Sequence, residues 1–134
     1  MLEQVLHSNY RRWQWDNGLV KVLVCGSRDW ADKDHIADVL ADLACERNVE
    51  VIHGGARGAD RMAGEVAALY GYRVRVFPAD WDSHGRRAGI IRNLQMLDEN
   101  PDRVIAFQRN GSRGTQHTVD EARRRAIPVE VYES

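Results

Sequence analysis

Five short strand-like runs, each parted from the next by a stretch with helical spacing, leave this chain few folds to choose from. The runs are Leu19–Val24, Val49–Ile52, Arg73–Phe77, Val104–Phe107 and Val129–Tyr132. The first is nearly continuous in Leu and Val rather than alternating, which marks a strand buried on both faces. Between the runs, apolar residues recur at helical intervals: Ile36, Val39, Leu40 and Leu43; Met62, Ala63, Val66, Ala67 and Tyr70; Ile91, Leu94 and Leu97; Val119, Ala122 and Ala126. Asp32 or Asp34 is placed to cap the first of these helices, Gly71 to end the second, and Pro101 follows the third. Such alternation predicts an α/β fold, a Rossmann-like doubly wound parallel sheet of about five strands. The common strand order 3-2-1-4-5 puts the ligand crevice at the carboxyl ends of the strands, where the order reverses between strands 1 and 4.

Three loops then converge on that crevice. After strand 2 comes His53-Gly54-Gly55-Ala56-Arg57-Gly58-Ala59-Asp60, in which glycines permit a close backbone approach. The helix opened at Asp60 directs free N–H groups and a positive dipole end at the same loop, a setting that suits phosphate. After strand 1 stand Gly26, Ser27, Arg28 and Asp29; after strand 4, Asn110, Gly111, Ser112, Arg113, Gly114 and Thr115. Neither is a Walker or dinucleotide fingerprint. A glycine–hydroxyl–arginine trio repeated at two strand ends, beside a Gly-Gly loop, points to a phosphate-bearing ligand. Arg28, Arg57 and Arg113, with the backbone of Gly54, Gly55 and Gly114, are expected to surround one anion site. Trp30 and Trp81 each follow an Asp near a strand end, where an aromatic ring can stack on a base; for Trp81, closing the core is the preferred reading.

With 134 residues and a net charge of −1, the chain has no global attraction for nucleic acid or anionic membrane, and DNA is a partner not favoured. No apolar run reaches membrane-spanning length, and the N-terminus lacks a signal-peptide plan. Cys25 and Cys45 read as reduced thiols of a cytoplasmic protein. The histidines lack metal-ligand spacing, so neither metal nor cofactor is expected. Residues 1–18, with Val5, Leu6, Tyr10, Trp13 and Trp15, form an expected arm at a homo-oligomer contact, and residues 19–134 form one domain.

Four segments in order resemble the YspA/YpsA-related branch of the SLOG superfamily, named for the Smf/DprA and Lonely-guy proteins. They are Val24-Cys25-Gly26-Ser27-Arg28-Asp29, His53 through Asp60, Ala88 through Met96, and Gly114-Thr115 with Glu121-Ala122. The resemblance runs from about Val20 to Val131 and implies a nucleotide or nucleotide-derived ligand. The Lonely-guy enzymes cleave nucleoside monophosphates. Of their motifs, Arg92, Asn93 and Met96 match one with Asn in place of Lys, and Gly111, Gly114 and Thr115 match part of the other. The position of their catalytic Glu falls on Thr118, whose hydroxyl cannot stabilise an oxocarbenium-like centre.

The expected role is therefore a binding module or sensor. Its ligand-binding residues are Gly26, Ser27, Arg28, Asp29, Gly54, Gly55, Arg57, Gly58, Asp60, Arg92, Asn93, Ser112, Arg113, Gly114 and Thr115. An N-glycosidase or phosphoribohydrolase is the alternative, with Arg92 and Glu121 as candidates for catalysis and Glu65, Asp29 or Asp60 as other carboxylates. Single-stranded DNA binding is the third reading.

Overall fold

The structure, a computed structural model, describes residues 18–46 and 48–134. The predicted arm, apart from Gly18, and its expected subunit contact lie outside the described residues. Strands β1 (Leu19–Gly26), β2 (Asn48–His53), β3 (Arg73–Val76), β4 (Arg103–Gln108) and β5 (Val129–Glu133) pair in parallel, in the order β3-β2-β1-β4-β5. This is the expected doubly wound α/β sheet, and β1 sits at its centre because its residues can be buried from both sides. Val22, Leu23 and Val24 are fully buried.

Helices α1 (Lys33–Ala41) and α2 (Ala59–Leu69) cover one face; α4 (Ala88–Leu97) and α5 (Arg113–Arg124) cover the other. A single turn, α3 (Trp81–His84), precedes α4. On the first face Ile36, Leu40, Ala63 and Val66 pack on Val22, Val24 and Phe107. On the second, Met96, Leu97, Val119 and Ala122 pack on Leu23, Ile52 and Ala106. Burying one such large aliphatic side chain contributes roughly 1.5–3 kcal/mol, so the two faces together fix which side each helix presents. No helix among the described residues is long and apolar enough to cross a membrane.

Three details differ from the sequence expectation. In α4 the inward positions go to Ala88, Asn93, Met96 and Leu97, while Ile91 and Leu94 are only half-buried. Asn93 holds its inward place because its carbonyl oxygen accepts Arg92 Nε at 2.9 Å. Ala126, expected in the core, is exposed and left-handed (φ 61°) just beyond α5. There Ala126 N–H donates to Arg123 and Ile127 N–H to Ala122, a C-terminal cap of the Schellman type. Four-residue spacing offers Asp120–Arg124 and Glu121–Arg125 as ion pairs on α5; Glu121 pairs with Arg125 at 3.2 Å, but Arg124 also turns to Glu121, and Asp120 instead accepts from Gln116.

Candidate functional site

At the carboxyl end of β2 the chain must turn sharply to start α2, and its turning backbone exposes several N–H groups. Five of these are already engaged. One carboxylate oxygen of Asp60 accepts Gly54 N–H at 3.1 Å and Ala56 N–H at 3.3 Å. Gly55 N–H donates to His53 Nδ1 at 3.0 Å. At the helix start, Ala59 N–H donates to Ser27 O and Arg61 N–H to Ala56 O. The loop is thus closed around an anion that belongs to the protein. Asp60 lies in the first turn of α2 rather than capping it, because the N-cap position is Gly58.

Burial is the dominant influence on Asp60 and pushes its carboxyl up to about 6. The Ala56 N–H, Arg92, the Gly54 N–H and Arg28 each draw it down, without cancelling the loss of water. Burial, then Arg92, lowers His53, which fits an imidazole whose Nδ1 accepts a hydrogen bond. Burial and Asp60 push the neighbouring Cys25 thiol far up, so this thiol is no nucleophile. Arg92 crosses the floor. Its Nη1 donates to Gly54 O and, at 3.4 Å, to Phe77 O. A Cβ on Gly54 would sit 2.4 Å from this guanidinium, so the glycine makes room for Arg92, not for a ligand.

Two further loops are stapled together. Ser27, 1% exposed, donates its hydroxyl to Arg109 O at 2.9 Å and accepts Arg109 N–H at 2.8 Å. Asn110 Nδ2 adds a bond to Asp29 at 3.2 Å. Gly26 and Gly58 allow the close approach: a Cβ on Gly26 would meet Phe107 O at 2.4 Å, and one on Gly58 would meet Arg28 O at 2.4 Å. At the start of α5 the Ser112 hydroxyl accepts Thr115 N–H and the Thr115 hydroxyl. Among the described residues, no backbone carbonyl takes the N–H groups of Arg113 and Gly114.

What remains between these loops is a cleft of about 560 Å³, bordered by the ends of β1 and β4 and by the start of α5. Arg28, Arg57, Arg86, Arg92 and Arg109 line it, against the carboxylates Asp29 and Asp60. Arg28, Arg57, Arg86 and Arg109 are exposed, and none makes an ion pair among the described residues. Such a set of unpaired forked donors beside a helix N-terminus can hold phosphate oxygens. Trp81, Ile90 and Met96 supply the less polar wall.

Of the residues singled out from sequence, the cleft gathers Gly26, Ser27, Arg28, Asp29, Arg57, Asp60, Arg92, Asn93, Ser112, Gly114 and Thr115. Gly54 and Gly55 border an adjoining chamber. Gly58 and Arg113 are in neither lining. Glu121 is also absent from the cleft, since it faces Arg124 and Arg125. Glu65 pairs with Lys33 at 2.9 Å instead. Thr118 lines the cleft, but its hydroxyl donates to Gly114 O at 3.1 Å.

The core role preferred for Trp81 falls instead to Trp30. Trp30 is the core residue, packed on Phe107, with its Nε1 donating to Asp32 O at 2.8 Å. Trp81 is 52% exposed at the cleft rim. Arg86 and Arg109 are further cleft residues not singled out from sequence. Arg109 was signalled by its place, the first residue after β4, whereas nothing in the segment around Arg86 announced that it would fold back over the site.

Comparisons with known proteins agree with this architecture. A family model described as "YspA, cpYpsA-related SLOG family" matches residues 20–84. The Gene 61 protein of Mycobacterium phage D29 is 40% identical over 118 residues, which cover 81% of this chain and 93% of the phage protein. Among solved structures, the X-ray structure of DNA processing protein A (DprA) from Streptococcus pneumoniae shares the fold, with a TM-score of 0.53 at 15% identity. That match covers 84% of this chain, which spans 58% of the DprA chain.

Proposed function

Because the chain belongs to the YspA, cpYpsA-related SLOG family, we propose that it binds a nucleotide or nucleotide-derived ligand as a sensor or binding module. The ligand's phosphate rests at the start of α5. One observation carries this reading: four cleft arginines without ion-pair partners among the described residues meet where the strand order reverses. In this arrangement Arg28 and Arg57 reach the phosphate from the β1 and β2 loops. Gly114 N–H and the Thr115 region receive it from the β4 side, and the wall around Ile90 and Met96 takes the less polar end.

Turnover is not part of the reading. A phosphoribohydrolase needs a carboxylate beneath the ribose. The α5 position nearest that place is Thr118, engaged with Gly114 O, and Glu121 is held by two arginines. Isothermal calorimetry with AMP and adenosine, followed by mass spectrometry of the products, tests both halves. The expected result is tighter binding of AMP and no free adenine. Equal affinities remove the phosphate site, and adenine release at about 1 per second or faster would falsify the non-catalytic reading. Salt-sensitive binding of single-stranded DNA with no nucleotide affinity favours a DNA-binding role instead. We propose further that the protein works in the cytoplasm as a homo-oligomer, and light scattering on the full chain measures its assembly state.

A further inference from the structure

The cleft does not end at Arg57. A second chamber of about 540 Å³ opens beyond it, walled by Gly54, Gly55, Val76, Pro78 and Ala79. The two chambers share Arg28, Ala56, Arg57, Trp81 and Arg92 as their common border. Each alone falls within the roughly 300–1,000 Å³ of small-ligand sites, so one mononucleotide leaves one of them empty. Their chemistry is also divided. The border concentrates guanidinium groups. No carboxylate lines the second chamber, and its Val76 is 51% exposed although apolar. Its one further cation, Arg61, already turns Nε to Gly55 O at 3.3 Å. A cationic waist between two partly apolar chambers matches a ligand with negative charge in its middle and a ring at each end.

We propose that the cleft takes a two-part nucleotide, two ring-bearing nucleosides joined by a diphosphate, whose bridge lies at Arg28 and Arg57, with one phosphate toward the start of α5 and the other toward the second chamber. Trp81 stands at the same waist, half-exposed and on the rim of both chambers, where its ring stacks on one of the bases. This inference rests on the nucleotide reading above and specifies its ligand class.

Calorimetry on the full-length protein with AMP, ADP and diadenosine diphosphate tests it. The dinucleotide is expected to bind at least about tenfold more tightly than either mononucleotide, a step equal to one good added interaction. Ala79→Leu, which narrows only the second chamber, should bring the dinucleotide down to the AMP value and leave AMP unchanged. Trp81→Ala should weaken the dinucleotide about tenfold, with Trp81→Phe restoring most of it. Equal affinity for AMP and dinucleotide overturns the inference and leaves the nucleotide site standing. Failure of all three probes to bind removes both. An Ala79→Leu effect that is absent, or the same for AMP, also overturns it. So does an unchanged dinucleotide affinity in Trp81→Ala, or tighter binding of an oligodeoxynucleotide than of the dinucleotide.

Discussion

The loops after β2 and β4 share a plan: each follows a buried parallel strand, is rich in glycine and leads into a helix. They differ in how much of their backbone the protein itself engages. The β2 loop directs the Gly54 and Ala56 N–H groups at Asp60, and its neighbour Ala59 at Ser27 O, so these donors are satisfied from within, although Arg57 and Gly58 N–H have no backbone acceptor among the described residues. The β4 loop leaves Arg113 and Gly114 N–H without a backbone acceptor among the described residues, and its glycines face open space: a Cβ on Gly111 or Gly114 meets nothing within 4 Å. A glycine-rich turn is therefore only a potential receptor. What decides its use is whether the protein supplies its own acceptor, and one carboxylate six residues after Gly54 is enough to do so. The β2 loop is the site's foundation and the β4 loop is its open side.

Alanine at the glycines sets the two loops against each other most sharply. Gly58 has φ 80° and ψ −127°, and its Cβ would lie 2.4 Å from Arg28 O and 2.5 Å from Ser27 O. Gly58→Ala combines backbone strain with a clash against main chain and should cost about 4 kcal/mol in urea denaturation. A loss under about 1 kcal/mol would mean that the β2 loop is not a rigid foundation.

Next comes the pH dependence of that foundation. Asp60 is raised from its ordinary 3.8 to about 6, so the folded state binds a proton more readily than the unfolded chain. Its contribution to stability is full below 3.8 and is lost as pH rises through about 6. That interval corresponds to roughly 3 kcal/mol. Asp60→Asn keeps an oxygen acceptor for Gly54 and Ala56 but has no proton to lose. Wild-type stability relative to the variant should therefore fall between pH 4 and 7 in parallel denaturation curves. Parallel curves with no such divergence would place Asp60 in a wetter setting.

Effects on binding belong to side chains that reach the cleft, from whichever loop. Arg57→Ala should weaken AMP by about 1.5–3 kcal/mol, the scale of a hydrogen bond to a charged group, with little change in stability. Arg113→Ala, at a residue outside the cleft lining, should leave affinity within about 0.5 kcal/mol. A small effect, on stability rather than binding, is expected at Gly111→Ala. With φ 64° and open space around it, only the left-handed backbone matters, at about 1 kcal/mol.

Strand order and core faces were legible because buried parallel strands must be apolar and helices must show an apolar stripe. Val22 to Val24, Ile36, Leu40 and Val66 obey both rules. The misread residues obey neither in isolation. Asn93 turns inward with its carbonyl oxygen bonded to the adjacent Arg92, and Ala126 leaves the core because α5 ends on a left-handed residue. Trp30 and Trp81 look alike in sequence. Trp30 nevertheless finds Asp32 O for its indole N–H within the core, while Trp81 rides on a single turn at the rim. The convergence of three loops was legible from topology. Which of their polar groups remain available was not, since that depends on bonds such as Ser27 to Arg109, residues far apart in the chain.

That last bond has a mechanical consequence. With Ser27 both giving to and receiving from Arg109, and Asn110 tied to Asp29, the β1 and β4 walls cannot part without breaking all three bonds. They behave as one fixed jaw. The opposite side is the one-turn α3, anchored at its start by the Asp80 cap on Ser83. Among the described residues no hydrogen bond ties α3 to the β1 or β4 loop, so the cleft sets one clamped wall against one held at its own start.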